Sequence, residues 1–290
     1  MEQKNATNKN VRPAAPAAAQ GEAKGGSAFA AIVIPLAFVV AILIYIFVLG
    51  NSGNFVGGNN ANAALPGNYL GIVYKGGVIV PVLMSLFLMV LIFSIERLLT
   101  IGKAKGSKSI ESFVRTIRQK LNVNDITGAI AACDQQKGSV ANVVKSGLLK
   151  YQEMARERGM DKEQKVLAIQ KEIEESTALE LPMLEKNLVI ISTIASVSTL
   201  VGLLGTVFGM IKAFSALAQA GSPDAVALAE GISEALINTA IGIAGSALAI
   251  IAYNFFTSKI DELTYSIDEA GFSIIQTFAS QHGDNETYTA

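Results

Sequence analysis

STIASVSTLVGLLGTVFGMIKAF at Ser192–Phe214 and GISEALINTAIGIAGSALAIIAYN at Gly231–Asn254 are two apolar runs joined by a short loop around Gly221-Ser222-Pro223-Asp224. Both carry small and hydroxyl-bearing residues that a plain membrane anchor does not need, and the second carries a carboxylate, Glu234. The loop reads as a turn followed by a helix start, with Ser222 as N-cap and Pro223 at the first helical position. About ten residues of helix, or roughly 15 Å, then separate Glu234 from the turn and place it at membrane depth.

At 100° per residue, Glu234, Asn238, Gly231, Gly242, Gly245, Ala235, Ser246 and Thr239 fall on one arc of about 140°, with the branched aliphatic residues outside it. That arc is not a lipid face. On the preceding run Ser192, Ser196, Thr199 and Thr206 align within about 80°. Gly202, Gly205 and Gly209 allow a neighbouring backbone to come close, as Gly231 and Gly242 do on the second run. An ionised carboxylate in hydrocarbon costs several kcal/mol, roughly 3 or more, so Glu234 is expected to be protonated, paired or facing water. The small residues alone read as ordinary helix packing, and the hydroxyls alone as bonds to the carbonyl one turn back. For Glu234 a functional or partner contact is favoured over a structural pair with Lys212.

Outward from this pair, the chain has 290 residues, 51% of them hydrophobic, and a net charge of −1. Of its 23 Lys and Arg, 16 fall between Arg97 and Lys186. That segregation marks an all-α membrane protein with several spans, and no basic stripe with interleaved aromatics points to nucleic acid. A single cysteine, Cys133, and a single histidine, His282, argue against a disulfide framework, a metal site, a cofactor or an enzyme's paired imidazoles. Cys133 reads as a buried helix residue and His282 as part of a polar tail.

Residues 1–27 read as a disordered cytoplasmic tail and 28–49 as a first span with a kink at Pro35. Residues 50–77 form a Gly/Asn-rich periplasmic loop and 78–96 a second span. Residues 97–187 form a cytoplasmic helical domain, in which Pro182 is expected to bend the last helix where it meets the membrane. The pair of runs with small and polar faces occupies 188–256. Residues 257–290 hold a cytoplasmic helix, with Ile260, Leu263, Ile267, Ala270, Ile274 and Phe278 in three-four spacing, and a tail. The basic segments then place both termini in the cytoplasm.

Val201-Gly202-Leu203-Leu204-Gly205-Thr206-Val207-Phe208-Gly209-Met210 resembles the G-L-x-G-T-V-x-G-[IM] signature of the ExbB/TolQ/MotA family of proton-channel subunits. Gly231-Ile232-Ser233-Glu234-Ala235-Leu236-Ile237-Asn238-Thr239-Ala240-Ile241-Gly242 resembles its G-I-[AS]-E-A-L-x-x-T-A-x-G signature. The resemblance is closest to ExbB. It implies a bacterial inner-membrane ring, typically of five subunits, around the single-span helices of ExbD-like partners that each carry a membrane Asp, coupled through a TonB-like protein to outer-membrane transport. Thr206 and Thr239 would be pore hydroxyls near that Asp and Glu234 the pore carboxylate, with Asn238, Ser196 and Thr199 along the same proton pathway. A TolQ-like subunit serving envelope integrity, or a gliding or flagellar stator, is the alternative. Three spans are usual for ExbB and TolQ, so residues 28–49 add a fourth. A MotA-like subunit also has four, with a larger insert ahead of the last two.

Overall fold

The computed structural model describes residues 23–218 and 224–282. Among these the chain is helical apart from short connections between helices and a longer one at 50–79, where Phe55 and Ala64 form a single antiparallel bridge. Four helices are long and apolar enough to cross a membrane, which makes this an all-α membrane protein.

The first, α1 (Ala23–Leu43), starts five residues ahead of the apolar run and runs through Pro35. The helix thus takes in residues 23–27 of the expected tail; residues 1–22 lie outside the described residues. A wider turn, Ile44–Leu49, ends α1 with the Gly50 amide donating to the Tyr45 carbonyl at 2.9 Å.

The connection at 50–79, called the cap here, owes its Asn and Gly content to hydrogen bonding. Asn54 is buried and donates through Nδ2 to the carbonyls of Val48 and Leu49, both at 2.9 Å, while its Oδ1 accepts from Asn68 at 3.0 Å. Carbonyls left open at a helix end are satisfied in this way without water. Asn68 also caps the short helix α2 (Tyr69–Tyr74). The Tyr45 hydroxyl donates to the Tyr74 carbonyl and the two rings stack 4.6 Å apart, tying the cap to α1.

Helix α3 (Val80–Lys105) packs along α1, with Phe29 edge-on to Phe93. A bundle follows, built from α4 (Ile110–Asn122), α5 (Ile126–Gln136), α6 (Ser139–Arg156) and α7 (Lys162–Glu185). Ser109, Asp125 and Asp161 cap α4, α5 and α7. Asp125 is held below the usual carboxylate range by the Lys120 ammonium and the Gly128 amide. After α8 (Leu188–Leu217) comes α9 (Ala225–Gln281), a helix of 57 residues that spans the membrane region and then closes the bundle. Its Ile260, Leu263, Ile267, Ala270, Ile274 and Phe278 are all buried, facing Ile169 and Ile173 of α7 and Ile117 of α4 among others.

Two expectations change. Ser222 and Pro223 lie outside the described residues, but Asp224 is extended and accepts from the Val226 and Ala227 amides, so α9 is capped by Asp224 and starts at Ala225. His282 is not in a free tail: its ring stacks on Phe278 at 4.3 Å and lies edge-on to Tyr151, whose hydroxyl donates to Gln281.

The expected bend at Pro182 also moves. Pro182 stays inside α7, and the break falls at Lys186 and Asn187, because a buried charge cluster holds the chain there. Arg97, 2% exposed, donates to the carbonyl of Leu184 at 2.9 Å and forks onto Glu96 at 2.7 and 2.6 Å. Glu96 also accepts from Asn187 Nδ2 and the Thr100 hydroxyl, each at 2.9 Å. The guanidinium thus takes up a carbonyl that the end of α7 leaves open.

Replacing Arg97 by Leu leaves this cluster with an uncompensated carboxylate and is expected to cost about 3–5 kcal/mol. Arg97→Lys should recover only part, since an ammonium cannot form the fork. Thermal unfolding in detergent measures both, and unfolding temperatures equal to that of the parent would contradict the role of the joint.

Cys133 is buried in the bundle, and burial, followed by the Asp134 carboxylate, pushes its thiol up to about 12. The folded thiol therefore stays neutral where the unfolded one ionises, so stability is unaffected below about pH 8.5 and falls as pH rises toward 12. A maleimide at pH 8 should label Cys133 only on unfolding; labelling of the folded protein at the rate of a free thiol would refute this.

The α8–α9 hairpin as candidate functional site

Glycines set the spacing of the hairpin. A Cβ on Gly242 would stand 2.8 Å from the Gly202 Cα, one on Gly209 2.6 Å from the Ala235 amide nitrogen, and one on Gly231 2.6 Å from that of Ala213. Gly205 faces the Asn238 side chain just as closely. Lipid tails are as apolar as leucine, so helices in a bilayer gain by such close contact rather than by the hydrophobic effect. Ser198 adds a buried bond to the Gly242 carbonyl at 3.0 Å, and Ser246 reaches the Ala195 carbonyl. Most of the small arc on α9 is thereby spent on α8.

At the edge of this seam the Thr206 and Thr239 hydroxyls hydrogen-bond to each other across the two helices. Each also has the carbonyl one turn back within reach, Gly202 for Thr206 at 3.3 Å and Ala235 for Thr239 at 3.1 Å. Two hydroxyls have only two protons for these three contacts. One hydroxyl donates to the other, which donates to its own carbonyl, and the roles can be exchanged by rotating two O–H bonds. Such a pair can donate to an anion or accept from an acid with little rearrangement. Both residues are partly exposed, and Thr206 opens onto an apolar groove of about 600 Å³ lined by Val207, Met210, Ile211 and Phe214.

The other candidates are distributed over different surfaces. Thr199 is half-buried and Ser196 exposed on the same row of α8 as Thr206. Ser196 lines a cleft of about 530 Å³ near the bundle, together with Ser192, Tyr253, Thr257, Glu185 and Asp261. Glu234 instead faces the cap. Its Oε2 accepts from Lys212 Nζ at 2.9 Å, and the Gly77 backbone lies against the carboxyl group, leaving the side chain 13% exposed. Lys75 stands 3.7 Å from Glu230 farther out. Asn238 is fully buried, with Nδ2 donating to the Gly76 carbonyl at 2.8 Å.

Ser198, Gly76 and Gly77 were not among the sequence candidates. The double glycine ahead of the second span is a turn signal, but nothing local tells that it meets α9.

Residues 135–269 match the MotA/TolQ/ExbB proton channel family. The matched stretch runs from the end of α5 through the whole of α8 to Glu269 of α9, so it takes in the hairpin. It is 26% identical over 158 residues to the Tol-Pal system protein TolQ of Pseudomonas aeruginosa, a stretch that covers 54% of this chain and 68% of the relative. To TolQ of Haemophilus influenzae it is 40% identical over 84 residues, 29% of this chain and 37% of that one. To the biopolymer transport protein ExbB of Neisseria meningitidis it is 27% identical over 212 residues, 69% and 92% respectively.

The glycine seam gives a direct test. Gly209→Leu is expected to cost at least about 1–3 kcal/mol, the usual range for overpacking, because backbone on α9 blocks the new side chain. Gly102 on α3 has open space around it, so Gly102→Ala should be neutral or stabilise by about 0.5–1 kcal/mol. Unfolding temperatures in detergent that shift alike for the two variants would count against the seam.

Proposed function

We propose that the chain is an ExbB-like subunit of the bacterial inner membrane, with both termini and the α4–α7 bundle in the cytoplasm and the cap in the periplasm. It assembles as a ring, typically a pentamer, around an ExbD-like single-span partner with a membrane Asp. The proton-motive force drives that partner, which acts through a TonB-like protein on outer-membrane transport.

The observation that carries this reading is the Thr206–Thr239 hydroxyl pair on an open edge of the hairpin. A partner carboxyl that gains and loses a proton needs a neighbour that accepts in one state and donates in the other, and paired hydroxyls supply this without a fixed charge. Ser196 and Thr199 continue the polar row toward the cytoplasm and the cleft between Glu185 and Asp261. Glu234, in contact with Lys212, stands at the periplasmic end of the pathway.

The second reading is a TolQ-like subunit for envelope integrity, favoured by the TolQ relatives. A stator of the flagellar or gliding type is the third reading, with the MotA part of the matched family behind it. Deleting the gene and scoring TonB-dependent uptake against detergent sensitivity separates the first two.

Thr206→Ala and Thr239→Ala, each reconstituted with the partner in vesicles, should lower gradient-driven proton flux about tenfold or more, less than the roughly 100- to 10,000-fold contributed by a proton-transferring acid or base, because the hydroxyls assist a carboxyl that remains. The Glu234→Ala variant should also lose flux. Unaltered flux in all three variants would sink the assignment.

A further inference from the structure

Neighbouring side chains on α9 contact two different bodies. Thr239 meets Thr206 on α8, whereas Asn238 and Glu234 meet the Gly76-Gly77 turn of the cap. That turn is built to press on α9. Gly77 has a φ of +76°, which suits glycine, and a Cβ on Gly76 would stand 2.9 Å from Ile237 Cγ2 and 2.5 Å from Val80 Cγ2. Asn238 is 0% exposed, and its amide is only half used: Nδ2 has the Gly76 carbonyl, and Oδ1 has no partner among the described residues. A buried amide with an orphaned acceptor is a poor filler against Gly205, where leucine has nearly the same shape and no polar atom to desolvate. The donor half is what distinguishes asparagine here, and its acceptor is a backbone carbonyl in the turn that leads into α3. Consecutive residues are 100° apart around the helix, so a turn of α9 large enough to free Asn238 also carries Thr239 away from Thr206 and Glu234 away from Lys212.

We propose that Asn238 is a positioning residue: its bond to the Gly76 carbonyl sets the rotation of α9, and the Gly76-Gly77 turn ahead of α3 thereby aligns the two threonines. The significance for proton movement rests on the function proposed above, while the alignment itself is testable without it.

Thr206→Cys and Thr239→Cys, introduced together into the full chain with Cys133→Ser, report the alignment in native membranes as the initial rate of disulfide formation under mild oxidation. Ser198→Cys with Gly245→Cys, whose Cβ atoms would stand 3.7 Å apart nearer the bundle, is the control pair. Adding Asn238→Leu, which keeps the volume and removes the donor, is expected to slow cross-linking at the threonine positions at least fivefold and leave the control pair unchanged. Asn238→Ala provides the same comparison if the leucine variant does not fold. Unchanged rates at the threonine positions overturn the proposal, and so does an equal loss at both pairs, which would mean general loosening of the hairpin. In chains that keep both threonines, Asn238→Leu should lower proton flux in parallel. Slowed cross-linking in a protein that conducts no protons with its partner upholds the positioning role and removes the channel reading. Flux lost on Thr206→Ala but unmoved by Asn238→Leu does the reverse.

Discussion

Close backbone approach between α8 and α9 is the constraint on which the rest depends. In hydrocarbon a pair of apolar helices gains little from being together unless their atoms touch densely, and the Gly202–Gly242 and Gly209–Gly231 contacts provide that density. Because the backbones nearly touch, short side chains reach across: Ser198 finds a carbonyl and Thr206 finds Thr239. A wider spacing set by alanine or leucine would leave these hydroxyls only their own helix to bond. The seam is therefore both the adhesive of the hairpin and the means by which two threonines become one chemical unit.

A different device joins the hairpin to the bundle. Arg97 and Glu96 come from α3, the Leu184 carbonyl from the end of α7, and Asn187 from the break before α8, so three segments converge on one ion pair. Arginine suits this place because its planar fork engages a carboxylate with two donors and still has one free for the end of α7. The cap performs the comparable task at the other end, with neutral amides in place of charges.

What the residues reveal on their own follows from the range of each interaction. Periodicity is local, so the all-α membrane fold and the buried stripe from Ile260 to Phe278 could be read off three-four spacing. Glycine motifs on both runs are likewise local and pointed to the hairpin. Pairings across the chain were not legible. Pro182 looked like the place to bend, yet the break follows it at Asn187, whose partner Glu96 is 91 residues away. The helical wheel put Glu234, Asn238 and Thr239 on one arc, but an arc of about 140° is wide enough to face two neighbours, the cap and α8. His282 read as tail because its contacts, Phe278 and Tyr151, depend on α9 closing the bundle.

The two strands of the hairpin differ mechanically. Chain continuity through α8 is interrupted at Asn187, whereas α9 runs unbroken for 57 residues, about 85 Å of helix, from Asp224 to the far end of the bundle. A stiff rod of that length does not absorb a twist at one point. Any torque applied at Thr239 is delivered along the rod to the core around Ile267 and Phe278, while the neighbouring strand yields at its joint. One helix transmits and the other accommodates, as a drive shaft does beside a coupling.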